Sequence, residues 1–474
     1  MSINNPAVAS WRPTSPLLRG LAALALGLAL AGGAAAQLPG ENEPNLAVPA
    51  NSQRYVASEM PDRIIATPAQ DAATGFAVNW RTNAKVQAPR LEIVVAVDSP
   101  DTGNPRVLTA TTRALQSGNG IAHTHRVDID GLTPDTLYMF RVEGEGTWSG
   151  WRQLRTLARA DKPLTLLYFG DTQNKNLSHV SRLTREAMRH AGGASIALYA
   201  GDLVSEGTDD NEWGEWFEAA GDLPDVMLVA PAIGNHEYWE EFEDTPQERR
   251  VLGDHWRASF ALPRNGAGGQ HSAHTTYWFD AQGVRFVVLD GTSALDLGSA
   301  DEQARWLDRV LSANPQRWSV VLIHQPMFSP RGRGASDKLR AALMPVIDKH
   351  MVDLVLQGHD HTYGRRSGER SGQTLPQYVV SVAGPKQYRL SAEAKRTMAP
   401  TAEDTQLFQV IRVEQDRLRY QAYTATGRLY DDFEIERDKR GGRRVIEHRR
   451  GRIAERDCSH RDATLGGRKD RCWE

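Results

Sequence analysis

Five short motifs between residues 170 and 361 hold the residue types that can bind metal. They are Gly170-Asp171-Thr172-Gln173, Gly201-Asp202-Leu203-Val204-Ser205, Gly234-Asn235-His236-Glu237, Val321-Leu322-Ile323-His324 and Gly358-His359-Asp360-His361. Each stands in or just after a short apolar run: LTLLYF, SIALYA, VMLVAPAI, SVVLI and DLVLQ. Runs of this kind, bounded by turns, predict strands buried on both faces of a layered sheet. Every candidate ligand then lies past a strand end, on the rim where open α/β sheets gather their sites. Carboxylate, amide and imidazole groups converging there form an oxygen-and-nitrogen set for two divalent or trivalent metals. Phosphoester hydrolysis is the chemistry such a pair serves best.

In this order and at these spacings the motifs resemble those of the calcineurin-like metallophosphoesterases, and within them the purple acid phosphatase branch. The resemblance covers roughly residues 60 to 435. It implies a dinuclear centre of Fe, Zn or Mn, with Asp202 as the bridging ligand. Asp171 and His361 would bind the first metal, and Asn235, His324 and His359 would complete the second. The neutral carbonyl of Asn235 coordinates without adding charge, which keeps the site electrophilic. His236 matches the family's histidine that hydrogen-bonds the substrate phosphate or protonates the leaving oxygen, which matters because an alkoxide leaves poorly. Glu237 and Asp360 are expected to orient these histidines. Arg331 and Arg333 fall in a loop where the family places phosphate-contacting residues, and a guanidinium suits a pair of phosphate oxygens.

Two positions depart from the branch. Its members carry, three residues after the bridging aspartate, a tyrosine whose phenolate holds ferric iron and gives the colour. Here that position is Ser205. Gln173 stands where the branch has glycine and other metallophosphoesterases have a metal-binding histidine. Gln173 and Ser205 are therefore candidates to contact a metal or to hydrogen-bond its ligands, and no purple charge-transfer band is expected.

The elements that must position these residues alternate from Leu164 onward. Helical patterns at Leu177–His190, Asp301–Ser312 and Asp337–Lys349 interleave with strand-like stretches, later ones at Thr275–Asp280, Val284–Leu289, Tyr378–Val382, Gln406–Val413 and Leu418–Ala425. The pattern predicts an α/β fold, a two-sheet sandwich flanked by helices over residues 163–436. Residues 61–158 read differently. Six short alternating strands, from RIIATPA to WRQLRT, are separated by turns such as Ser99-Pro100-Asp101-Thr102-Gly103 and predict an all-β sandwich. Trp80 on the third-strand pattern, and Leu132-Thr133-Pro134 leading into Tyr138, resemble a fibronectin type III domain, which precedes the catalytic domain in plant-type purple acid phosphatases. Residues 37–60, rich in Pro, Asn and Ala, read as a linker or arm.

The ends of the chain differ from its body. Arg12 and Arg19 precede the apolar stretch Leu21 to Ala31, and Ala34-Ala35-Ala36 offers a small-residue cleavage site. Residues 1–36 are thus expected to be a signal peptide, giving a secreted or periplasmic protein with no integral membrane segment after cleavage. Cys458 and Cys472 are the two cysteines of the 474-residue chain. In an exported protein such a pair is expected to form a disulfide, worth roughly 3 kcal/mol in the chain-entropy model. Residues 437–474 form a basic tail, thirteen Lys/Arg against seven Asp/Glu, whereas residues 37–436 carry a net −11 of the total −3. An acidic body argues against a nucleic-acid partner.

The expected function is that of an exported dinuclear-metal phosphoesterase, acid phosphatase-like, cleaving small-molecule phosphate monoesters by attack of a metal-activated water. Its rivals are a phosphodiesterase acting on nucleotide or lipid-derived diesters, and a non-catalytic envelope-binding protein with a vestigial metal site.

Overall fold

The computed structural model describes residues 44–49, 51–159, 162–243, 245–332, 336–368 and 375–456, and two short strands, Ala463–Leu465 and Arg468–Asp470. The expected signal peptide, Arg333, Cys458 and Cys472 lie outside the described residues. Among the described residues no helix is long and apolar enough to cross a membrane.

Two four-stranded antiparallel sheets build the first domain. One runs in the order Asp62–Pro68, Phe76–Asn83, Gly120–Ile129, Thr111–Ser117; the other runs Arg106–Thr109, Arg90–Val95, Leu137–Val142, Arg152–Arg155. Strands Arg106–Thr109 and Thr111–Ser117 were not legible in the sequence, because their apolar alternation is weak and most of their residues are exposed. Trp80 is fully buried on the second strand rather than a third, and its indole donates to the carbonyl of Glu143. The Tyr138 hydroxyl accepts from the Thr133 amide at 3.0 Å, the corner contact of fibronectin-like sandwiches.

Two seven-stranded sheets form the second domain. The first runs Leu228–Pro231, Ile196–Tyr199, Leu164–Phe169, Leu407–Val413, Arg417–Thr424, Leu429–Arg437, Arg443–Glu447. The second runs Tyr277–Ala281, Val284–Val288, Trp318–Leu322, Leu354–Gln357, Gln377–Val380, Tyr363–Ser367, Thr401–Ala402. The motif-bearing strands pair in parallel within each sheet, Leu164–Phe169 with Ile196–Tyr199 with Leu228–Pro231, and Trp318–Leu322 with Leu354–Gln357. Their residues are almost all buried, as apolar runs without alternation require. Helices Ala300–Ser312 and Ser336–Lys349 cover the outer face of the second sheet, with Trp306, Leu307, Leu339 and Leu343 in its core.

The first sheet does not stop where the basic stretch begins. Arg443–Glu447 pairs along Phe433–Arg437 as its edge strand. Arg437 and Arg443 reach the buried Asp353, and Arg452 reaches Asp431. Part of the positive charge past residue 437 therefore neutralises interior carboxylates instead of facing solvent.

The sandwich meets the second domain through a buried charge cluster. Asp210, at the start of the Asp210–Ala220 helix, accepts from Arg63 at 2.6 Å and from Arg81 at 2.9 Å, with Asn119 at 3.0 Å. His255 lies 3.3 Å from the same carboxylate. Burial opposes its charge, but His255, Arg63 and Arg81 outweigh burial and hold the Asp210 carboxyl well below the usual range.

Candidate metal centre

The parallel strands end side by side, so the residues just past them converge. Asp171 and Asp202 follow Leu164–Phe169 and Ile196–Tyr199, His324 follows Trp318–Leu322, and His359 and His361 follow Leu354–Gln357. The glycines before the ligands have a steric cause. A Cβ at Gly234 would lie 2.1 Å from the Asp202 carboxylate, and one at Gly358 would lie 2.1 Å from that of Asp171. Asp202, His359 and His361 all take positive φ, 49°, 73° and 47°. Non-glycine residues rarely hold this conformation, and where they do the strain tends to serve a site.

Two groups of potential ligand atoms result, each with its atoms within 4.8 Å of one another: Asp202, His324 and His359; and Asp171, Asp202 and His361. Asp202 belongs to both, as a bridging carboxylate must. His324 Nε2 lies 3.1 Å from Asp202 Oδ2, and His361 Nε2 lies 3.1 Å from Asp171 Oδ2. Asn235 Oδ1 is 3.0 Å from His359 Nδ1 and 3.2 Å from His324 Nε2, which places it in the first group. His324 Nδ1 donates to the Ala200 carbonyl at 2.7 Å and His361 Nδ1 to that of Lys386 at 2.9 Å. A carbonyl only accepts, so those bonds fix the tautomers and turn both Nε2 lone pairs inward.

The pocket thus gathers lone pairs facing lone pairs. Asp171 Oδ2 and Gln173 Oε1 are buried without a hydrogen-bond donor. Such a donor set fits a pair of cations, which would satisfy the oxygens and nitrogens that lack donors there. The electrostatics agree. Burial opposes charge on His324, yet Asp202 and Asp171 push it up to about 10, so the carboxylates draw positive charge to its Nε2, as a proton or as a cation on that lone pair. Burial and the neighbouring His324 push His359 down to about 4.

Gln173 lies in the same pocket, its side-chain nitrogen 3.0 Å from His361 Nε2 and 3.4 Å from Asp202 Oδ2. The amide of His236 donates to Asp202 Oδ1 at 2.9 Å, and its Nδ1 donates to the Ser205 carbonyl at 2.6 Å. Its Nε2 is 4.0 Å from Asp202 Oδ2, at the mouth of the pocket. Ser205 contributes only its backbone; its hydroxyl is buried and unpartnered.

Two expected roles differ. Glu237 does not orient a histidine. Its carboxylate accepts from the amides of Asp202, Leu203 and Gly234, tying two ligand loops together. Asp360 accepts from the Ser329 hydroxyl and the Arg331 amide, so it shapes the loop after His324. Arg331 itself stacks on Tyr388 with its guanidinium carbon 3.6 Å from the ring centroid, and Tyr388 packs against His361 at 4.8 Å. Lys386 and Tyr388 carry no motif in the sequence, so neither was foreseen.

Fold and site together define a metallophosphoesterase-type sandwich behind a fibronectin-like domain. Residues 164–363 match the family model for calcineurin-like phosphoesterases, and residues 61–156 match that for the purple acid phosphatase N-terminal domain. The chain is 30% identical over 330 residues to the uncharacterized protein Rv2577 of Mycobacterium tuberculosis, covering 62% of this chain and 60% of that one. It is 25% identical over 287 residues to purple acid phosphatase 21 of Arabidopsis thaliana, covering 59% and 62%. The solved purple acid phosphatase PPD1 of yellow lupin (Lupinus luteus) seeds has the same fold, with a TM-score of 0.67 at 17% identity over 81% of this chain and 75% of that one. The chain thus carries a calcineurin-like phosphoesterase domain preceded by a purple acid phosphatase N-terminal domain, and its fold matches that of a purple acid phosphatase. It spans about three-fifths of the length of the curated relatives just named.

Proposed function

We propose that this chain is an exported phosphoesterase that hydrolyses small-molecule phosphate monoesters. The observation that carries the reading is the sharing of Asp202 by two convergent ligand groups, a geometry built for two cations. Asp171, Asp202 and His361 would hold one, with Gln173 beside them. Asp202, Asn235, His324 and His359 would hold the other. Ions there, of Fe, Zn or Mn, would supply Lewis acidity toward the phosphoryl oxygens and toward an attacking water.

The remaining steps belong to the protein. A water oxygen forms a bond to phosphorus as the ester P–O bond breaks, with no phosphoenzyme. His236 Nε2, at the mouth of the pocket, gives a proton to the departing oxygen, while its Nδ1 stays anchored on the Ser205 carbonyl. Glu237 keeps the Asp202 and Asn235 loops in register through three amide bonds, so the groups need little rearrangement on binding. Arg331, held flat on Tyr388, offers its guanidinium edge to a substrate oxygen. Export rests on the signal-like residues 1–36.

The test is metal analysis of the purified mature protein beside hydrolysis of p-nitrophenyl phosphate and bis-p-nitrophenyl phosphate. About two metals per chain and faster monoester turnover are expected. Faster diester turnover would move the reading to a phosphodiesterase. Absence of both metal and hydrolysis after adding Mn, Zn or Fe would refute it.

A further inference from the structure

The Asp210–Ala220 helix presents glutamates at three-residue spacing, Glu212, Glu215 and Glu218, and the arm before the sandwich runs along them. The Arg54 guanidinium and the Tyr55 hydroxyl bind Glu218 at 2.9 and 2.8 Å. The amides of Ala47 and Val48 bind Glu215 at 2.6 and 2.9 Å. At the far end, Asn45 Nδ2 donates to Glu212 Oε1 at 2.6 Å. The Asn45 side-chain Oδ1 accepts from the backbone amide of Lys175, two residues past Gln173, at 2.9 Å.

Glu212 leads on to the site. Its second oxygen accepts from the amides of Ser205 at 2.5 Å and Glu206 at 3.2 Å. The carbonyl of Ser205 is the atom that accepts from His236 Nδ1. A continuous path therefore runs from Asn45 through the Glu212 carboxylate and the Ser205 residue to the imidazole.

We propose that Asn45 is a positioning residue, acting through Glu212 and the Ser205 backbone to hold His236 against the leaving oxygen. The inference rests on the phosphoesterase reading given above. Its physical basis is that the Ser205 side chain anchors nothing: the hydroxyl is buried and unpartnered, so that loop is placed by its backbone. Glu212 is nearly buried, and the Asn45 amide is the donor on its first oxygen. Without that donor the carboxylate turns toward whatever solvent or protein donor it can reach. The Ser205 amide then loses its acceptor and the carbonyl that orients His236 moves with it. Both positions at which this chain departs from its branch, Gln173 and Ser205, lie on loops that this one side chain touches or reaches through Glu212.

The consequence falls on one chemical step. A nitrophenolate leaves without a proton, whereas an alkoxide needs one. In Asn45→Ala, turnover of an alkyl ester such as glycerol phosphate should fall about 10- to 100-fold, the range for a misplaced acid. Turnover of p-nitrophenyl phosphate should change by less than about three-fold, since that step asks little of His236. KM and metal content should stay at wild-type values. Tyr55→Phe, which loosens the arm at Glu218 without touching the path to Ser205, should leave the ratio of the two turnovers unchanged. Asn45→Ala combined with His236→Ala should be no slower on the alkyl ester than His236→Ala alone, because both remove one function. Equal losses on both esters, no loss on either, or additive losses in the double variant would overturn the proposal. A wild-type protein that cleaves neither ester would remove the phosphoesterase reading and this inference together; wild-type activity with an unchanged ratio in Asn45→Ala removes the inference alone.

Discussion

Asp210→Asn should separate the two domains energetically while barely changing the shape of either. The carboxylate is buried and its oxygens face donors on both sides, Arg63 and His255 on one, Arg81 and Asn119 on the other. An asparagine must turn an NH2 group toward one of these pairs, so in either orientation donors face donors. Arg81 keeps Asp62, at 2.6 and 2.9 Å, and the Tyr55 carbonyl. Among the described residues Arg63 keeps only the backbone carbonyl of residue 210 as a hydrogen-bond acceptor, at 2.8 Å, and burial and Arg81 already push its guanidinium below its ordinary value. The charge stranded is therefore Arg63. Removing one partner of a buried pair costs about 3–5 kcal/mol, and two charges about 4 Å apart at an effective dielectric of 20 interact by about 4 kcal/mol. Set against a total stability of roughly 5–15 kcal/mol, that loss dominates the variant. Urea unfolding followed by tryptophan fluorescence at pH 7 measures it. Asp210→Asn combined with Arg63→Met should recover most of the loss, since it removes the stranded charge. A loss below about 1 kcal/mol for the single variant, or no recovery in the double one, would show that Arg63 is satisfied by something other than Asp210.

Three further outcomes follow from particular residues. His125 is held between the Thr82 and Thr112 hydroxyls at 2.7 and 2.9 Å, and burial, aided by His123, pushes it down to about 4. The unfolded chain takes up that proton near pH 6.5, so the contribution is intact above 6.5 and fades as pH falls toward 4, by about 2–3 kcal/mol at pH 4.5. His125→Gln should flatten that slope in urea titrations at pH 7.5 and 4.5, and an unchanged slope would place the acid sensitivity elsewhere. Gln173→Ala should weaken metal retention about 10- to 100-fold, because the amide is packed between His361 and Asp202; competition with a chelator reads this, and unaltered retention would reduce Gln173 to filler. Iron-loaded protein should show no tyrosinate charge-transfer band in its visible spectrum, since Ser205 offers no phenolate; a purple sample would mean that another tyrosine reaches the metal.

What could be read in the sequence followed from periodicity and from ligand chemistry. The apolar runs before Asp171, Asp202 and His324 had to be buried strands, so the positions of six convergent ligand candidates followed once those strands were taken as neighbours. Glu237 and Asp360 were misjudged because a carboxylate beside a histidine in sequence has no need to face it. On a tight loop the nearest donors are backbone amides, and both carboxylates took them. The edge strand Arg443–Glu447 was hidden by its charge, since an edge can be polar on both faces when one of its arginines, Arg443, reaches the buried Asp353. Asn45 had no local signal at all. Its partners, Lys175 and Glu212, are more than a hundred residues away, and the visible hint was on the other side of the contact, in the three-residue spacing of Glu212, Glu215 and Glu218. Acidic residues at that spacing share a helix face. A row of nearly or partly buried carboxylates on such a face demands donors, and here an arm that composition alone marked as a linker supplies them.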